Sequence, residues 1–169
     1  MDHVSVLFVC MGNICRSPMA DAYMRHLVKD AGIGDRVRVD SAGTHSYHLG
    51  HAPHDETQAE LRRRGVDVGD QVSRLVTVAD LETFDHVVAM DHANVAELEA
   101  LAHQSPDPTS ARARITLLLQ HAEEIPGAQV DEVPDPYYVG GYDRVFDLVD
   151  AGCRGLLERI EGQLATEPG

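Results

Sequence analysis

Two reactive side chains, Cys10 and Arg16, enclose a short loop near the start of the chain, Cys-Met-Gly-Asn-Ile-Cys-Arg. A cysteine thiolate is a strong nucleophile, and the planar guanidinium of arginine can hold two oxygens of a phosphate group. Gly12 lets the backbone approach a ligand closely, and Asn13 tolerates unusual dihedral angles. The spacing therefore predicts a loop that curls around an oxyanion and presents it to Cys10.

The segments on either side of this loop should hold it between a strand and a helix. The apolar run from Val4 to Val9 is typical of a parallel strand that is buried on both faces. A helix-like segment follows, with Ser17 expected as its N-cap and Pro18 as its first residue. Such a junction exposes unpaired N–H groups and the positive end of a helix dipole, which should favour a thiolate at Cys10. The alternative is a buried strand-end cysteine beside a solvated arginine.

A second pattern with catalytic potential is Pro134-Asp-Pro-Tyr-Tyr138. A phosphate ester that is cleaved by a thiolate needs a proton for its leaving oxygen, and Asp135 is the best candidate donor. The two prolines would stiffen the loop, and Tyr137 and Tyr138 could form a wall for an aromatic substrate. Taken alone, the pattern also fits an ordinary loop turn.

Together these motifs resemble the low-molecular-weight protein tyrosine phosphatases, and the resemblance runs from about Val4 to about Ile160. It implies one α/β domain over residues 1–169, with a flavodoxin-like sheet of four parallel strands in the order 2-1-3-4, flanked by helices, which is the phosphotyrosine phosphatase I fold. It also implies hydrolysis of phosphotyrosine and small aryl phosphates without a metal or another cofactor.

The resemblance assigns roles to the loop residues. Cys10 is expected to form a phosphocysteine, Asp135 to act as general acid and then base, and Arg16 to hold the phosphate. The Ser17 hydroxyl is expected to hydrogen-bond the Cys10 sulfur. The expected phosphate-binding residues are Met11, Gly12, Asn13, Ile14, Cys15, Arg16 and Ser17.

Two residues outside the loop are expected to support it. Ser41 lies in the sequence Asp-Ser-Ala-Gly-Thr, which is either a simple turn or a brace for the phosphate loop. The resemblance favours the brace, with Asn13 as its partner. Gln71 stands where the family often has a histidine in this network, and an amide could serve instead.

Tyr47 is expected, from the resemblance, to line the substrate cleft with Tyr137 and Tyr138, although a partly buried loop tyrosine would fit the sequence as well. It lies in a loop with four regularly spaced histidines, His45, His48, His51 and His54. Their spacing matches no familiar zinc pattern, so we predict solvated histidines and no metal site.

Cys15 is the second cysteine of the loop. A low-pKa thiol is the one most exposed to oxidation, and Cys15 lies close to Cys10 in sequence. We expect peroxide to convert Cys10 to a sulfenic acid that Cys15 captures as a reversible disulfide, as in members of the resembling family that carry this cysteine. The alternative is that Cys15 only packs beneath the loop.

The composition limits the class of protein. A chain of 169 residues that is 43% hydrophobic suits one domain with a sizeable core. The 28 acidic and 14 basic residues give a formal charge of -14, which argues against nucleic-acid binding. Three cysteines, no signal peptide and no apolar run of membrane length predict a cytoplasmic protein without a membrane partner. We expect a monomer or weak dimer that acts on a tyrosine-phosphorylated protein.

The remaining patterns predict alternating strands and helices. The expected strands are 4–9, 37–39, 84–90 and 115–119, and the expected helices are 17–32, 55–64, 91–101 and 142–164, with a loop over 120–141. The final helix should bury Phe146, Val149, Cys153, Leu157, Ile160 and Leu164 on one face. Cys153 is therefore expected to be an inert core residue.

Three other functions share parts of this pattern. An arsenate reductase with a similar loop would need further cysteines to pass a disulfide outward, and only Cys15 and Cys153 remain. A module that only binds phosphotyrosine or an oxyanion would be expected to lack the nucleophile or the acid, and both are present. A phosphoryl carrier with a cysteine loop has no need for Asp135.

Overall fold

Four parallel strands form the centre of the computed structural model, which describes residues 2–124 and 130–165. The strands are β1 (Val4–Cys10), β2 (Val37–Gly43), β3 (His86–Ala89) and β4 (Ile115–Leu117). They lie in the order β2-β1-β3-β4, as predicted. Val6 of β1 is paired with Val39 on one side and with His86 on the other. The central position of β1 places Cys10 at the carboxyl edge of the sheet, where open α/β sheets bind ligands.

Seven helices surround the sheet in the described part of the chain. They are α1 (Arg16–Asp30), α2 (Asp55–Arg63), α3 (Val78–Thr83), α4 (His92–Ala102), α5 (Pro108–Ala113), α6 (Pro136–Val139) and α7 (Tyr142–Ala165). Short 3-10 turns occupy Gly34–Arg36 and Leu118–His121.

The continuous apolar run of β1 is explained by two cores, one on each face of the sheet. Val6 and Phe8 pack in a core with α1 and α7, whereas Leu7 and Val9 pack in a second core that includes Leu98 of α4. Since successive side chains of a strand point to opposite faces, both sets must be apolar.

The start of α1 differs from the prediction. The helix begins at Arg16, and its N-cap is Cys15, which makes no side-chain capping bond. Ser17 is completely buried, and its hydroxyl contacts the Cys10 sulfur instead of capping the helix. The expectation of a Ser17 N-cap was therefore wrong, because a tertiary contact takes the hydroxyl.

Several short elements were not predicted. Helices α3, α5 and α6 have six residues or fewer, too few to show a helical period. The expected loop over 120–141 contains α6, and its residues 125–129 lie outside the described residues. The final helix agrees with the prediction, except that Leu156 is fully buried while Leu157 is only partly buried. Cys153 is fully buried, as expected.

Candidate active site

The loop from Cys10 to Arg16, here called the anion loop, joins β1 to α1. Asn13 has a φ of 56°, a left-handed conformation that asparagine tolerates better than most residues. On the neighbouring strand, a Cβ at Gly43 would lie 2.7 Å from the carbonyl oxygen of Met11. Only glycine at that position lets the anion loop pack so closely against β2.

The carbonyl oxygens of the anion loop are bonded to the segments around it. The donors are the N–H groups of Thr44, His45 and His54 and the hydroxyl of Ser73, which bond the carbonyls of Cys10, Met11, Ile14 and Gly12 respectively. The backbone N–H groups of residues 12–15 have no acceptor among residues 2–124 and 130–165. Unpaired N–H groups on successive residues of a tight loop can bind an anion.

Arg16 is buried, with 2% of its surface exposed. One guanidinium nitrogen, Nη1, donates to Asp91 Oδ2 at 2.6 Å and to the carbonyl of Val133 at 2.9 Å. The other, Nη2, lies 3.4 Å from Asp135 Oδ2. Burial alone would lower the pKa of Arg16, but Cys10 and the two carboxylates outweigh it and raise the pKa. Its Nε has no hydrogen-bond partner in the described structure, so this N–H is available to donate to a bound anion.

Ser17 and Asn13 form a short hydrogen-bonded chain that ends at the Cys10 sulfur. Ser17 Oγ lies 3.0 Å from Cys10 Sγ and accepts a hydrogen bond of 2.8 Å from Asn13 Nδ2. Because the Ser17 oxygen already accepts from Asn13, its own proton is available to the sulfur. This arrangement places a hydroxyl donor within hydrogen-bond distance of the Cys10 sulfur.

Asn13 links this hydrogen-bonded chain to the surrounding elements. Its Nδ2 also donates to Ser41 Oγ at 2.9 Å, and its Oδ1 accepts from the backbone N–H of Arg74 at 3.0 Å. Ser41 in turn donates to Gln71 Oε1 at 3.1 Å, and Gln71 Nε2 donates to the carbonyl of Pro18 at 3.0 Å. The amide of Gln71 thus completes a connected network, in which both polar ends of Asn13 are satisfied.

Asp135 is held over the mouth of the anion loop. It is the N-cap of α6, and its Oδ1 accepts from the N–H of Tyr137 at 3.1 Å. Its other oxygen faces Arg16, so the carboxylate lies beside the place where the guanidinium would hold a ligand.

Three tyrosines form the rim of the site. Tyr47, Tyr137 and Tyr138 line the same pocket as Cys10, Arg16 and Asp135, and 71%, 49% and 69% of their surfaces are exposed. The rings of Tyr137 and Tyr138 meet edge to face, with centroids 5.2 Å apart. The rim therefore offers aromatic surface to a ligand that enters the pocket.

Cys15 is buried in the loop and lines the same pocket as Cys10 and Arg16. Its sulfur is 3.6 Å from the hydroxyl of Tyr142, and 4% of the residue is exposed. Burial raises the pKa of the Cys15 thiol to about 11, although the bond to Tyr142 opposes this shift.

The sequence analysis missed two residues that position this site. Asp91 was expected only as the first residue of the helix over 91–101; it is the N-cap of α4, and its second oxygen also binds Arg16. Ser73 was not singled out, although its hydroxyl fixes the Gly12 carbonyl. The position of Asp91, just after a strand adjacent to β1, is the one signal that could have indicated its second role.

A neighbouring side chain also favours glycine at position 12, which the sequence did not suggest. A Cβ at this position would lie 3.0 Å from Cδ2 of His48, so the glycine makes room for that ring.

Among residues 2–124 and 130–165, no group of three or more His, Cys, Asp or Glu side chains could hold a metal ion. No helix in the same ranges is both long and apolar enough to span a membrane.

Comparison with known proteins identifies the family. The family described as "Low molecular weight phosphotyrosine protein phosphatase" matches residues 5–166. The low molecular weight protein-tyrosine-phosphatase YfkJ of Bacillus subtilis is 40% identical over 158 residues, covering 94% of this chain and 96% of that protein. The chain therefore belongs to the low molecular weight phosphotyrosine protein phosphatases, a family of enzymes.

Solved structures agree with this assignment. The crystal structure of YfkJ matches with a TM-score of 0.87 at 38% identity, covering 96% of this chain and 98% of that one. A protein tyrosine phosphatase from Entamoeba histolytica matches with a TM-score of 0.83 at 34% identity, covering 95% and 98%. A Drosophila arginine phosphatase matches with a TM-score of 0.82 at 32% identity, covering 92% and 97%. The predicted resemblance and fold are confirmed.

Proposed function

We propose that this chain is a protein tyrosine phosphatase that hydrolyses phosphotyrosine and small aryl phosphates at the anion loop. The observation that carries the proposal is the buried guanidinium of Arg16, whose Nε has no partner in the described structure, in one pocket with the sulfur of Cys10 and loop residues whose N–H groups have no acceptor in the described ranges. This combination provides positive charge for an oxyanion and a nucleophile at the same place.

The first chemical step is an attack by Cys10. Its thiolate displaces the aryl oxygen from phosphorus and forms a phosphocysteine. Arg16 and the loop N–H groups hold the three equatorial oxygens, where negative charge collects in the transition state. Ser17 stabilises the sulfur before the attack and again when it leaves. No step in this scheme requires a metal or cofactor.

Asp135 is the general acid and then the general base of this scheme. It protonates the leaving phenolate in the first step, and in the second it takes a proton from the water that hydrolyses the phosphocysteine. Its contact with Arg16 supports this role, since a phosphoryl group bound to the guanidinium would lie next to the carboxylate.

The shape of the pocket supports an aryl substrate. The cavity holds about 30 Å³, room for only a few water-sized groups, so a phosphoryl group can occupy its floor while the ring lies higher. The aromatic ring would then meet Tyr47, Tyr137 and Tyr138. We propose that the physiological substrate is a tyrosine-phosphorylated protein.

The domain extent, cellular location, oligomeric state and partners of the enzyme form a second proposal. We propose that residues 1–169 form one domain that acts in the cytoplasm as a monomer or weak dimer, without nucleic-acid or membrane partners. Three free cysteines and a formal charge of -14 support this setting.

The decisive experiment compares the wild type with Cys10→Ser on para-nitrophenyl phosphate and a phosphotyrosine peptide, with EDTA present. We expect the wild type to turn over both substrates and Cys10→Ser to lose at least about 10³-fold in kcat/KM. Cys153→Ala is the matched control, because that cysteine is buried and does not line the pocket. A Cys10→Ser variant with near-normal activity would refute the nucleophile.

A phosphoarginine peptide is a useful second substrate, because one structural neighbour is an arginine phosphatase. We expect it to be hydrolysed poorly, since the rim is built from aromatic rings. Faster hydrolysis of phosphoarginine than of phosphotyrosine would overturn the proposed substrate class while leaving the nucleophile intact.

Vanadate should inhibit the enzyme competitively by mimicking five-coordinate phosphorus.

We further propose that Cys15 protects Cys10 from over-oxidation. Both cysteines lie in the anion loop, and peroxide would convert the Cys10 thiolate to a sulfenic acid that Cys15 captures. The test is activity recovery with dithiothreitol after peroxide. The wild type should recover, whereas Cys15→Ser should lose activity irreversibly. Equal recovery in both proteins would show that the protective role is wrong.

A further inference from the structure

An open surface groove of about 580 Å³ adjoins the candidate active site and is here called the histidine groove. Its walls include His48, His51 and His54, three of the four regularly spaced histidines of the sequence. His48 and Tyr137 line this groove and also the pocket that contains Cys10. A substrate whose phosphoryl group occupies the floor of the pocket therefore leaves it beside the groove.

The loop over residues 44–54, which carries these histidines, is fixed to the anion loop. The N–H of His54 donates to the carbonyl of Ile14 at 2.7 Å. The ring of His48 packs against Gly12, where a Cβ would lie 3.0 Å from it. The groove is thus held in a fixed position relative to the nucleophile, as a preorganised binding site requires.

The three imidazole rings form one cluster around Tyr137. The ring centroids of His48 and Tyr137 are 5.7 Å apart, and those of His54 and Tyr137 are 5.9 Å apart. His51 joins the cluster through His48, with centroids 6.0 Å apart. A side chain that enters the groove therefore meets several imidazoles at once.

Ring nitrogens of this cluster are available to a ligand. Within residues 2–124 and 130–165, the rings of His48 and His51 make no hydrogen bond or ion pair. His54 Nδ1 accepts from the N–H of Glu56 at 3.1 Å, so the ring proton is on Nε2, which has no partner in those ranges. Since every imidazole carries at least one N–H, the groove offers three donors. A carboxylate, which only accepts hydrogen bonds, is their complement.

The other charged side chains at the groove offset each other. Asp55 lines the groove and is exposed at the start of α2. Gln58 also lines it, and its Oε1 accepts from Arg62 Nη2 at 3.1 Å, which brings a guanidinium close by. The whole chain has a formal charge of -14, so its overall field opposes an acidic peptide. A preference for an acidic peptide would therefore have to come from local donors such as these imidazoles.

We propose that the histidine groove binds an acidic side chain, aspartate or glutamate, that lies within three residues of the phosphotyrosine in the substrate. An extended peptide advances about 3.3–3.6 Å per residue, so three residues span about 10 Å. The inference rests on the proposed phosphotyrosine phosphatase function and adds a preference among its substrates. His48 and His51 determine this preference and take no part in the chemical steps.

The experiment compares phosphotyrosine peptides that differ at one position. Glutamate, glutamine or lysine is placed in turn at each position from three before to three after the phosphotyrosine, in an otherwise glycine-serine peptide. We expect kcat/KM for glutamate to exceed that for glutamine by about 3- to 10-fold at one or two positions, through KM, as for a hydrogen bond to a charged group. Equal values at every position would overturn the groove's role, while turnover itself tests the proposed function.

Variants that keep the rings identify the donors. The double variant His48→Phe/His51→Phe removes the ring N–H groups of both residues. It should lose the preference for glutamate, while kcat/KM for the glutamine peptide and for para-nitrophenyl phosphate stays near the wild-type value. His103→Phe is the matched control, because His103 is exposed and lines neither pocket, so it should keep the preference. A preference that survives in the double variant, or disappears in the control, would overturn the proposal.

Reversal of charge provides a second test. His51→Glu places a carboxylate in the groove at an exposed position. It should reverse the order at the selective position, so that the lysine peptide is hydrolysed faster than the glutamate peptide. An unchanged order would contradict the assignment of the acidic side chain to this groove.

Binding to Cys10→Ser separates the groove from the chemistry. Measured by calorimetry, the glutamate peptide should bind this variant about 3- to 10-fold more tightly than the glutamine peptide. Equal affinities would overturn the groove's role and leave the proposed function intact. A wild-type enzyme that hydrolyses none of the peptides, while this difference in affinity is present, would contradict the proposed function and support the groove.

Discussion

The floor and the rim of the candidate active site are built in opposite ways. On the floor, Cys10, Asn13, Arg16 and Ser17 are at most 2% exposed. Hydrogen bonds between Asn13 and Ser17, and from this group to Ser41 and Asp91, fix their positions. On the rim, Tyr47 and Tyr138 are about 70% exposed and make mainly ring contacts with their neighbours. Asp135 lies between the two regions, joined to the floor through Arg16 and to the rim through α6.

The difference follows from the cost of burying polar groups. A buried charge or amide without a partner is expensive, so every polar side chain on the floor requires a second one to satisfy it. The network is connected for this reason, and a connected network holds reacting atoms in place. Exposed aromatic rings have no such requirement. Substitutions on the rim should therefore disturb the structure less than substitutions on the floor.

The largest effect that distinguishes the regions should come from Asp135→Asn. This change removes the proposed proton donor but keeps the shape and the cap of α6. We expect kcat on a phosphotyrosine peptide to fall by about 10²–10⁴-fold, the usual contribution of general acid catalysis. The loss should be smaller on para-nitrophenyl phosphate, whose leaving group needs less protonation.

The matched control for this change is Asp131→Asn. Asp131 is exposed and pairs with His92, away from the pocket, so kcat should stay near the wild-type value. An equal loss on both substrates in Asp135→Asn would assign Asp135 to the floor as a positioning group and remove it from the role of acid.

The next effect concerns the connected network of the floor. Asn13→Ala removes the bonds to Ser17, Ser41 and the Arg74 N–H, and it places alanine in a left-handed conformation. We expect the free energy of unfolding to fall by about 2–4 kcal/mol, measured by urea denaturation. Loss of alignment at Cys10 should lower kcat/KM by about 10²-fold.

Asn13→Gly separates the two causes. Glycine adopts a positive φ without strain, so this variant should be about 1 kcal/mol more stable than Asn13→Ala. Its activity should be as low as that of Asn13→Ala, because the same hydrogen bonds are missing. A fully active Asn13→Gly would mean that the backbone conformation alone organises the floor.

The fold and part of the site could be predicted from the sequence. The strand, loop and helix around Cys10, the sheet order and the motif around Asp135 depend on local patterns and on the family resemblance, and the fold they imply is confirmed. The partners of Arg16 could not be predicted, because Asp91 and Val133 are 75 and 117 residues away along the chain. Ser17 was predicted both as the N-cap of the helix and as a partner of the Cys10 sulfur; the contact with the sulfur is present, and it leaves Cys15 as the N-cap.

The smallest effect should come from the rim. Tyr138→Ala removes an exposed ring that lines the pocket, so the free energy of unfolding should change by less than about 0.5 kcal/mol. An aromatic contact contributes about 0.5–1.5 kcal/mol, so KM for a phosphotyrosine peptide should rise by about 2- to 10-fold with kcat nearly unchanged.

Tyr138→Phe should keep the wild-type KM if the ring face makes the contact. Val139→Ala is the matched control, since Val139 is equally exposed but does not line the pocket. A kcat that falls in Tyr138→Ala as far as it does in Asn13→Ala would contradict the division into floor and rim. It would mean that the ring positions Asp135 through α6, and that the exposed side of the pocket takes part in the chemistry as well as in the choice of substrate.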